Sequence, residues 1–172
     1  MITKKKPLPN EYAPNYYIYV SKVTSSDFIE KLKELKATTL DFLAKLSEEQ
    51  WNTKYEEGKW SVKEVVMHMI DTERIFAYRA LRISRNDMTP MAGFEQDGYV
   101  PYYQVDQRSP ASILAEYKAV RNATLHLFQN FTDENMNRIG VANGVNFSVR
   151  ALGFIIVGHE MHHREVLKEK YF

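Results

Sequence analysis

Residues 59–74, KWSVKEVVMHMIDTER, contain the clearest helix start in the chain. Ser61 and Glu64 have the spacing of a capping box, and Gly58 just before them marks a break. Apolar side chains then recur at three- and four-residue steps, at Val62, Val65, Met69, Phe76, Ala80 and Ile83. This periodicity predicts a helix that runs from Ser61 to about Asn86 and buries one face.

Three other segments carry the same one-sided apolar pattern, so the helix at Ser61 is the second of four. The first begins at one of the capping residues 25–27, and a short turn is expected after it at residues 47–51, SEEQW. The third begins at Ser109-Pro110, because proline is well suited to the first helical position. The fourth spans about residues 148–170.

The four helices predict an all-α protein with a four-helix bundle fold. Residues 87–108 form a long connection between the second and third helices, and connections of this length are often functional. Residues 137–148, NRIGVANGVNFS, are expected to form a glycine-bearing loop, because we find no convincing alternating strand pattern. Residues 1–24 contain three prolines and four tyrosines and are expected to form an irregular arm, which leaves residues 25–172 as the bundle domain.

The composition excludes some classes of partner. The chain has 172 residues with 23 basic and 22 acidic side chains, so its net charge of +1 gives no broad electrostatic footprint for nucleic acid or an anionic membrane. The basic run Lys4–Lys6 is expected to be a solvated tail. No apolar run approaches the roughly eighteen residues of a membrane span, and no signal peptide is apparent, so we expect a cytoplasmic protein.

The absence of cysteine limits the chemistry of any metal site. It removes disulfides, thiol nucleophiles and zinc–thiolate sites, and it leaves histidine and carboxylate as the available ligands. Catalytic zinc commonly takes three protein ligands plus water, and nickel, iron and manganese also accept nitrogen donors. For a histidine site we therefore expect a divalent ion, with zinc or nickel ahead of iron or manganese.

Residues 157–166, VGHEMHHREV, hold three of the five histidines. At about 100° per residue, His159 and His163 lie about 40° apart on a helix, in the middle of its apolar stripe. The neighbouring stripe residues are Leu152, Ile155, Val166 and Leu167. A buried imidazole without a partner costs on the order of 1–3 kcal/mol, and one shared metal ion would satisfy both rings. The pattern predicts that His159 and His163 are metal ligands.

The same letters match the H-E-x-x-H motif of zinc peptidases, but the rest of that motif is missing. In its extended form, Val166 and Glu169 occupy the positions of the required glycine and third histidine. A third ligand must come from upstream, where only His68 and His126 are available as histidines. His126 shares its helix face with polar residues, whereas His68 lies at the margin of an apolar stripe. His68 is therefore the better candidate.

Three polar residues near these histidines have two possible roles each. His162 is expected either to support the ligands from outside the metal's own shell or to lie at the surface. Glu160 could accept a proton in a metal-dependent reaction, but we expect it to be a surface carboxylate or a hydrogen-bond partner. Asp71, one turn after His68, either orients an imidazole or faces water.

Three stretches of the chain resemble the DinB-like superfamily of metal-binding four-helix bundles. They are KWSVKEVVMHMIDTER, VRNATLHLFQNF and FSVRALGFIIVGHEMHHREVL, and the resemblance extends over nearly the whole chain. It implies a divalent metal held by His68, His159 and His163. It also implies a hydrolase or a transferase that uses a low-molecular-weight thiol such as bacillithiol or mycothiol. The alternative is a non-enzymatic metalloprotein with a structural or regulatory metal.

Two further expectations concern the surfaces around the site. Phe154, Val157 and Met161 lie opposite the histidines, so the first half of the last helix is apolar nearly all round and must be covered on both sides. We expect a homodimer through this face, or else coverage by the N-terminal arm. The long connection carries Tyr99, Tyr102 and Tyr103, which either wall a pocket for a small-molecule substrate or only pack.

Overall fold

The computed structural model describes residues 5–172 and contains seven α-helices and two short strands in that range. In chain order they are α1 (Tyr17–Val20), α2 (Phe28–Ala44), α3 (Glu48–Asn52), α4 (Val62–Ser84), α5 (Pro110–Gln129), α6 (Asp133–Asn137), β1 (Ile139–Ala142), β2 (Val145–Ser148) and α7 (Val149–Val166). Helix α7 continues as a π-helical turn over Leu167–Tyr171. The four predicted helices correspond to α2, α4, α5 and α7, so the prediction of a four-helix bundle is confirmed.

Each of the four main helices begins at a side-chain cap. In α4 the Ser61 hydroxyl accepts a hydrogen bond from the backbone N–H of Glu64, and the Glu64 carboxylate accepts one from the backbone N–H of Ser61 at 2.6 Å. Asp27, Ser109 and Ser148 cap α2, α5 and α7 in the same way, each through an acceptor oxygen. These bonds satisfy backbone donors that a helix leaves open at its start.

Residues 137–148 differ from the expected loop, because β1 and β2 pair there as an antiparallel hairpin. Ala142 is paired with Val145, and the turn between them consists of Asn143 and Gly144 with φ values of 51° and 73°. Asparagine followed by glycine favours this tight turn, because both central residues need positive φ. The strands have only four residues each, which is too short for a clear alternating pattern.

The connection between α4 and α5 is as long as predicted, and it is not featureless. It contains short 3₁₀ turns at Val100–Tyr102 and Val105–Gln107. It also bonds to the hairpin, where the backbone N–H of Met91 donates to the backbone oxygen of Val141. Of its tyrosines, Tyr103 is buried, as expected for packing, whereas Tyr102 is 81% exposed, which fits neither packing nor a pocket wall.

In the bundle core α4 packs on α5 and α7, and α2 packs on the same two helices. At one end, the rings of Phe128 and Phe154 both lie against Phe28, with ring centroids 5.3 and 5.4 Å away. At the other end, Trp51 and Tyr117 are buried against apolar residues of α4. Polar groups lie between these two apolar clusters, at the level of the histidines.

The second apolar face of α7 is covered within one chain, by α2 and by the N-terminal arm. Phe154 and Val157 are fully buried within one chain, and Gly158 lies directly against the backbone of Tyr19 in α1. Coverage by the arm, the second interpretation of this face, is therefore only part of what the structure shows, because the Phe154 ring lies against Phe28 of α2. The homodimer stays a prediction, and this face no longer supports it.

The structure also tests the predictions for the basic run and for the turn at SEEQW. Lys5 and Lys6 are exposed, as expected for a solvated tail, while Lys4 lies outside the described residues. The short helix α3 occupies the place of the turn expected at SEEQW. None of the helices in the described range has the length and apolar character to cross a bilayer.

The close approach of α1 to α7 gives a first prediction. In Gly158→Ala the new Cβ would lie 2.9 Å from the Tyr19 Cα and 2.5 Å from its carbonyl carbon, so α1 must move. We expect a loss of about 1–3 kcal/mol in the free energy of unfolding, measured by chemical denaturation. Gly98→Ala is the control, because its Cβ would make an ordinary contact of 3.4 Å with Glu95. Equal stability of the two variants would contradict the close packing of the arm.

Candidate metal centre

The structure brings His68, His159 and His163 together. His68 comes from α4, and the other two lie one turn apart on α7. The Nε2 atom of His159 lies 3.0 Å from Nε2 of His68 and 3.1 Å from Nε2 of His163. The ligand atoms of all three side chains fall within 4.8 Å of one another, and no cysteine or carboxylate in the described range belongs to this cluster.

The spacing and protonation of these rings fit a divalent ion. Two nitrogens that each lie about 2.0–2.1 Å from one ion are roughly 3 Å apart, as observed here. Burial lowers the pKa of His68 to about 4 and that of His163 to about 3, and it lowers the pKa of His159 well below its usual value. All three rings are therefore neutral at pH 7 and keep the lone pair that a metal ligand needs.

Neighbouring side chains hold the imidazoles in place. The Trp60 ring packs against His68 with centroids 5.0 Å apart, and the Thr72 hydroxyl lies 3.5 Å from the His68 Nδ1. Tyr19 of the arm presents its ring against His159 at 5.3 Å. Asp71 does not orient an imidazole, because its carboxylate accepts a hydrogen bond from Arg74 and is half-buried. Thr72, rather than Asp71, lies beside the His68 imidazole.

The other two histidines lie outside the cluster. His162 is partly buried, with its ring 5.1 Å from that of His163 and 5.6 Å from that of Tyr19. It therefore supports the cluster from the side rather than joining it. His126 is exposed on α5, as its polar helix face predicts.

Glu160 is buried, so the expectation of a surface carboxylate is wrong and that of a hydrogen-bond partner is confirmed. Its Oε1 accepts hydrogen bonds from the Thr39 hydroxyl at 2.5 Å and from the Tyr117 hydroxyl at 2.7 Å, and its Oε2 pairs with Arg121. Burial and the charge of Glu160 raise the pKa of Tyr117 well above its usual value, so this phenol stays a donor.

Arg121 joins Glu160 to a second buried carboxylate, that of Glu73. Its Nε and Nη2 atoms donate to the two oxygens of Glu73 at 2.9 and 2.7 Å, and its Nη1 donates to the backbone oxygen of Leu32 at 3.2 Å. Glu73, Arg121 and Glu160, which we call the buried ion network, together with Thr39 connect α2, α4, α5 and α7. Glu73 directly follows Thr72, and Glu160 directly follows His159.

A cleft of about 660 Å³ lies next to the cluster, with His163 and His162 in its wall. Its other lining residues include Tyr55, Lys59, Trp60, Asp97, Lys170 and Tyr171. Asp97 belongs to the long connection, and its charge acts on His68 against the lowering effect of burial. No pattern in the sequence indicated Asp97, because the connection has no period that would place a side chain.

A four-helix bundle with three histidines converging from its second and last main helices defines a class of metal-binding bundles. The family model of the DinB superfamily matches residues 31–167, and the chain belongs to this superfamily.

Two curated relatives are similar over most of the chain. A protein of Oceanobacillus iheyensis, named provisionally as a metal-dependent hydrolase, is 25% identical over 154 residues, or 86% of this chain and 87% of its own. YfiT of Bacillus subtilis, named in the same way, is 24% identical over 129 residues, or 74% of this chain and 71% of its own.

Solved structures confirm the fold. The structure of YfiT, described as a probable metal-dependent hydrolase with an unusual four-helix bundle topology, superposes with a TM-score of 0.73 at 18% identity. The match covers 95% of this chain and 93% of YfiT. The DinB-like protein YjoA of Bacillus subtilis matches with a TM-score of 0.60 at 20% identity, over 82% of this chain and 86% of its own.

The buried ion network gives the second prediction. Arg121→Met would leave two carboxylates buried without a cation, which we expect to lower the free energy of unfolding by about 3–5 kcal/mol. Arg74→Met is the matched control, because Arg74 is 47% exposed and its ion pair with Glu116 contributes about 0–1 kcal/mol. Urea denaturation of both variants measures the difference. A loss no larger for Arg121→Met than for Arg74→Met would contradict the role of the network.

Proposed function

We propose that His68, His159 and His163 hold a divalent metal ion and that the protein is a metal-dependent enzyme, either a hydrolase or a thiol S-transferase. The observation that carries this proposal is the convergence of three neutral imidazole nitrogens beside an open cleft, with one of the three side chains, His163, in the cleft wall. A structural ion needs no such access, whereas a catalytic one does.

The residues around the cluster suit this role. When bound, a divalent ion on three histidines would lower the pKa of a water or thiol at its remaining position. The packing of Trp60 and Tyr19 keeps the imidazoles in one orientation, and Thr72 supports His68 from behind. The substrate would reach the ion through the cleft, from the side of His163. On the opposite side, the buried face of α7 keeps water away.

The donor set favours zinc or nickel, because three imidazoles without a thiolate or carboxylate suit these ions well. Iron and manganese remain compatible with nitrogen donors. The names of the relatives favour hydrolysis. In the transferase alternative, the sulfur would come from a low-molecular-weight thiol, because the chain has no cysteine.

The third prediction concerns the ligands. Replacing His68, His159 or His163 singly by alanine should reduce bound metal from about one equivalent per chain to near none after gel filtration, because two remaining imidazoles bind weakly. His126→Ala is the control and should keep its metal. Elemental analysis of the purified proteins measures the content. If the three variants and the control hold equal metal, the ligand assignment is wrong.

The fourth prediction separates the enzyme from a protein with a structural metal. Cobalt(II)-substituted protein should change its visible spectrum when azide is added, because a catalytic site keeps an exchangeable position. A thiol such as cysteine should in addition produce a sulfur-to-cobalt charge-transfer band if the protein is a transferase. A spectrum that neither azide nor thiol alters would indicate a closed coordination sphere and would contradict the enzyme proposal.

A further inference from the structure

The cleft beside the histidine cluster has an aromatic wall that is fixed by its own contacts. The Tyr55 and Tyr171 rings meet edge to face with centroids 5.0 Å apart, and the Tyr171 hydroxyl donates to the backbone oxygen of Trp60 at 2.6 Å. The Trp60 ring in turn packs on His68. An apolar molecular body placed against this wall would lie directly beside the proposed metal.

The cleft is lined by more positively than negatively charged side chains. In the described part of the chain they are Lys59, Lys170 and Asp97. The Lys170 ammonium lies 5.2 Å from the centre of the Tyr55 ring, and within residues 5–172 neither it nor Lys59 has a carboxylate partner at ion-pairing distance. The side chains alone give the cleft a net positive charge, and a divalent ion on neutral imidazoles would increase it. Such a field concentrates anions.

We infer that this cleft binds a small organic anion, with its carboxylate held by Lys59 and Lys170 and its apolar body against the aromatic wall. The volume of about 660 Å³ suits a molecule of this kind. Asp97 repels the carboxylate from the side of His68, so the uncharged end of the molecule lies towards the histidines. That this uncharged end is the one that reacts rests on the proposed metal-dependent function, whereas the binding of the anion does not.

Phenylacetate and phenylacetamide are the probes, because they share shape and ring and differ in charge. Isothermal titration calorimetry measures both with zinc-loaded protein and with chelator-treated protein. We expect tighter binding of phenylacetate, and about a fivefold or greater loss of its affinity in the double variant Lys59→Gln/Lys170→Gln. The affinity for phenylacetamide should stay unchanged, which shows that the aromatic wall is intact. Lys118→Gln, an exposed lysine on α5, is the control and should bind as wild type.

The two forms of the protein separate this inference from the proposed function. If the protein fails to hold zinc but phenylacetate binding still depends on the lysines, the inference stands and the metal proposal fails. If phenylacetate binds only to the zinc form and equally well to the double variant, its carboxylate lies on the metal, and the inference is overturned while the metal site stands. Equal affinities for the two probes in wild type would also overturn it.

Discussion

Arg121 lies between the carboxylates of Glu73 and Glu160 in the centre of the bundle, and the placement of the four main helices depends on this contact. A buried ion pair adds little net stability, because the cost of desolvation offsets much of the attraction. Its effect here is geometric. The guanidinium and both carboxylates are satisfied only when α4, α5 and α7 meet at one level, with the Leu32 oxygen and the Thr39 hydroxyl of α2 completing the set.

The same contact also determines where the histidines lie relative to one another. Glu73 and Glu160 are the chain neighbours of Thr72 and His159, so the contact that aligns α4 with α7 also brings His68 to the pair on α7. His159 and the buried ion network line the same narrow internal space. The residues that fix the structural core therefore border the proposed metal centre directly.

Local signals in the sequence were sufficient for the helices and for the histidines. The caps at Ser61 and Ser148 act through residues three positions away, and the His159/His163 pair is recognisable because both lie on one apolar stripe. Residues 143 and 144 have a hairpin-turn sequence, but strands of four residues carry too little pattern, and the sequence predicts only a glycine-bearing loop there. The apolar stripes of the four main helices extend over 17 to 23 residues, whereas each strand has only four.

Contacts between distant segments could not be derived in this way. Glu160 is buried because its partners come from α2 and α5, and nothing in its own helix indicates them. Phe28 of α2 and Tyr19 of the arm both cover α7, so the apolar face that suggested a dimer is satisfied inside one chain. Asp97 reaches the cleft from an irregular connection. These features depend on the tertiary arrangement that the buried ion network fixes.

X-ray absorption spectroscopy of the zinc-loaded protein tests the central claim most directly, because it counts the atoms around the ion. The account predicts three imidazole nitrogens at about 2.0–2.1 Å and at least one further light atom that is replaced when azide is added. It also predicts that His68→Ala retains near no zinc after gel filtration, so that the three-imidazole signal is lost. A coordination sphere with fewer than three imidazoles, or one unchanged by the loss of His68, would contradict the account.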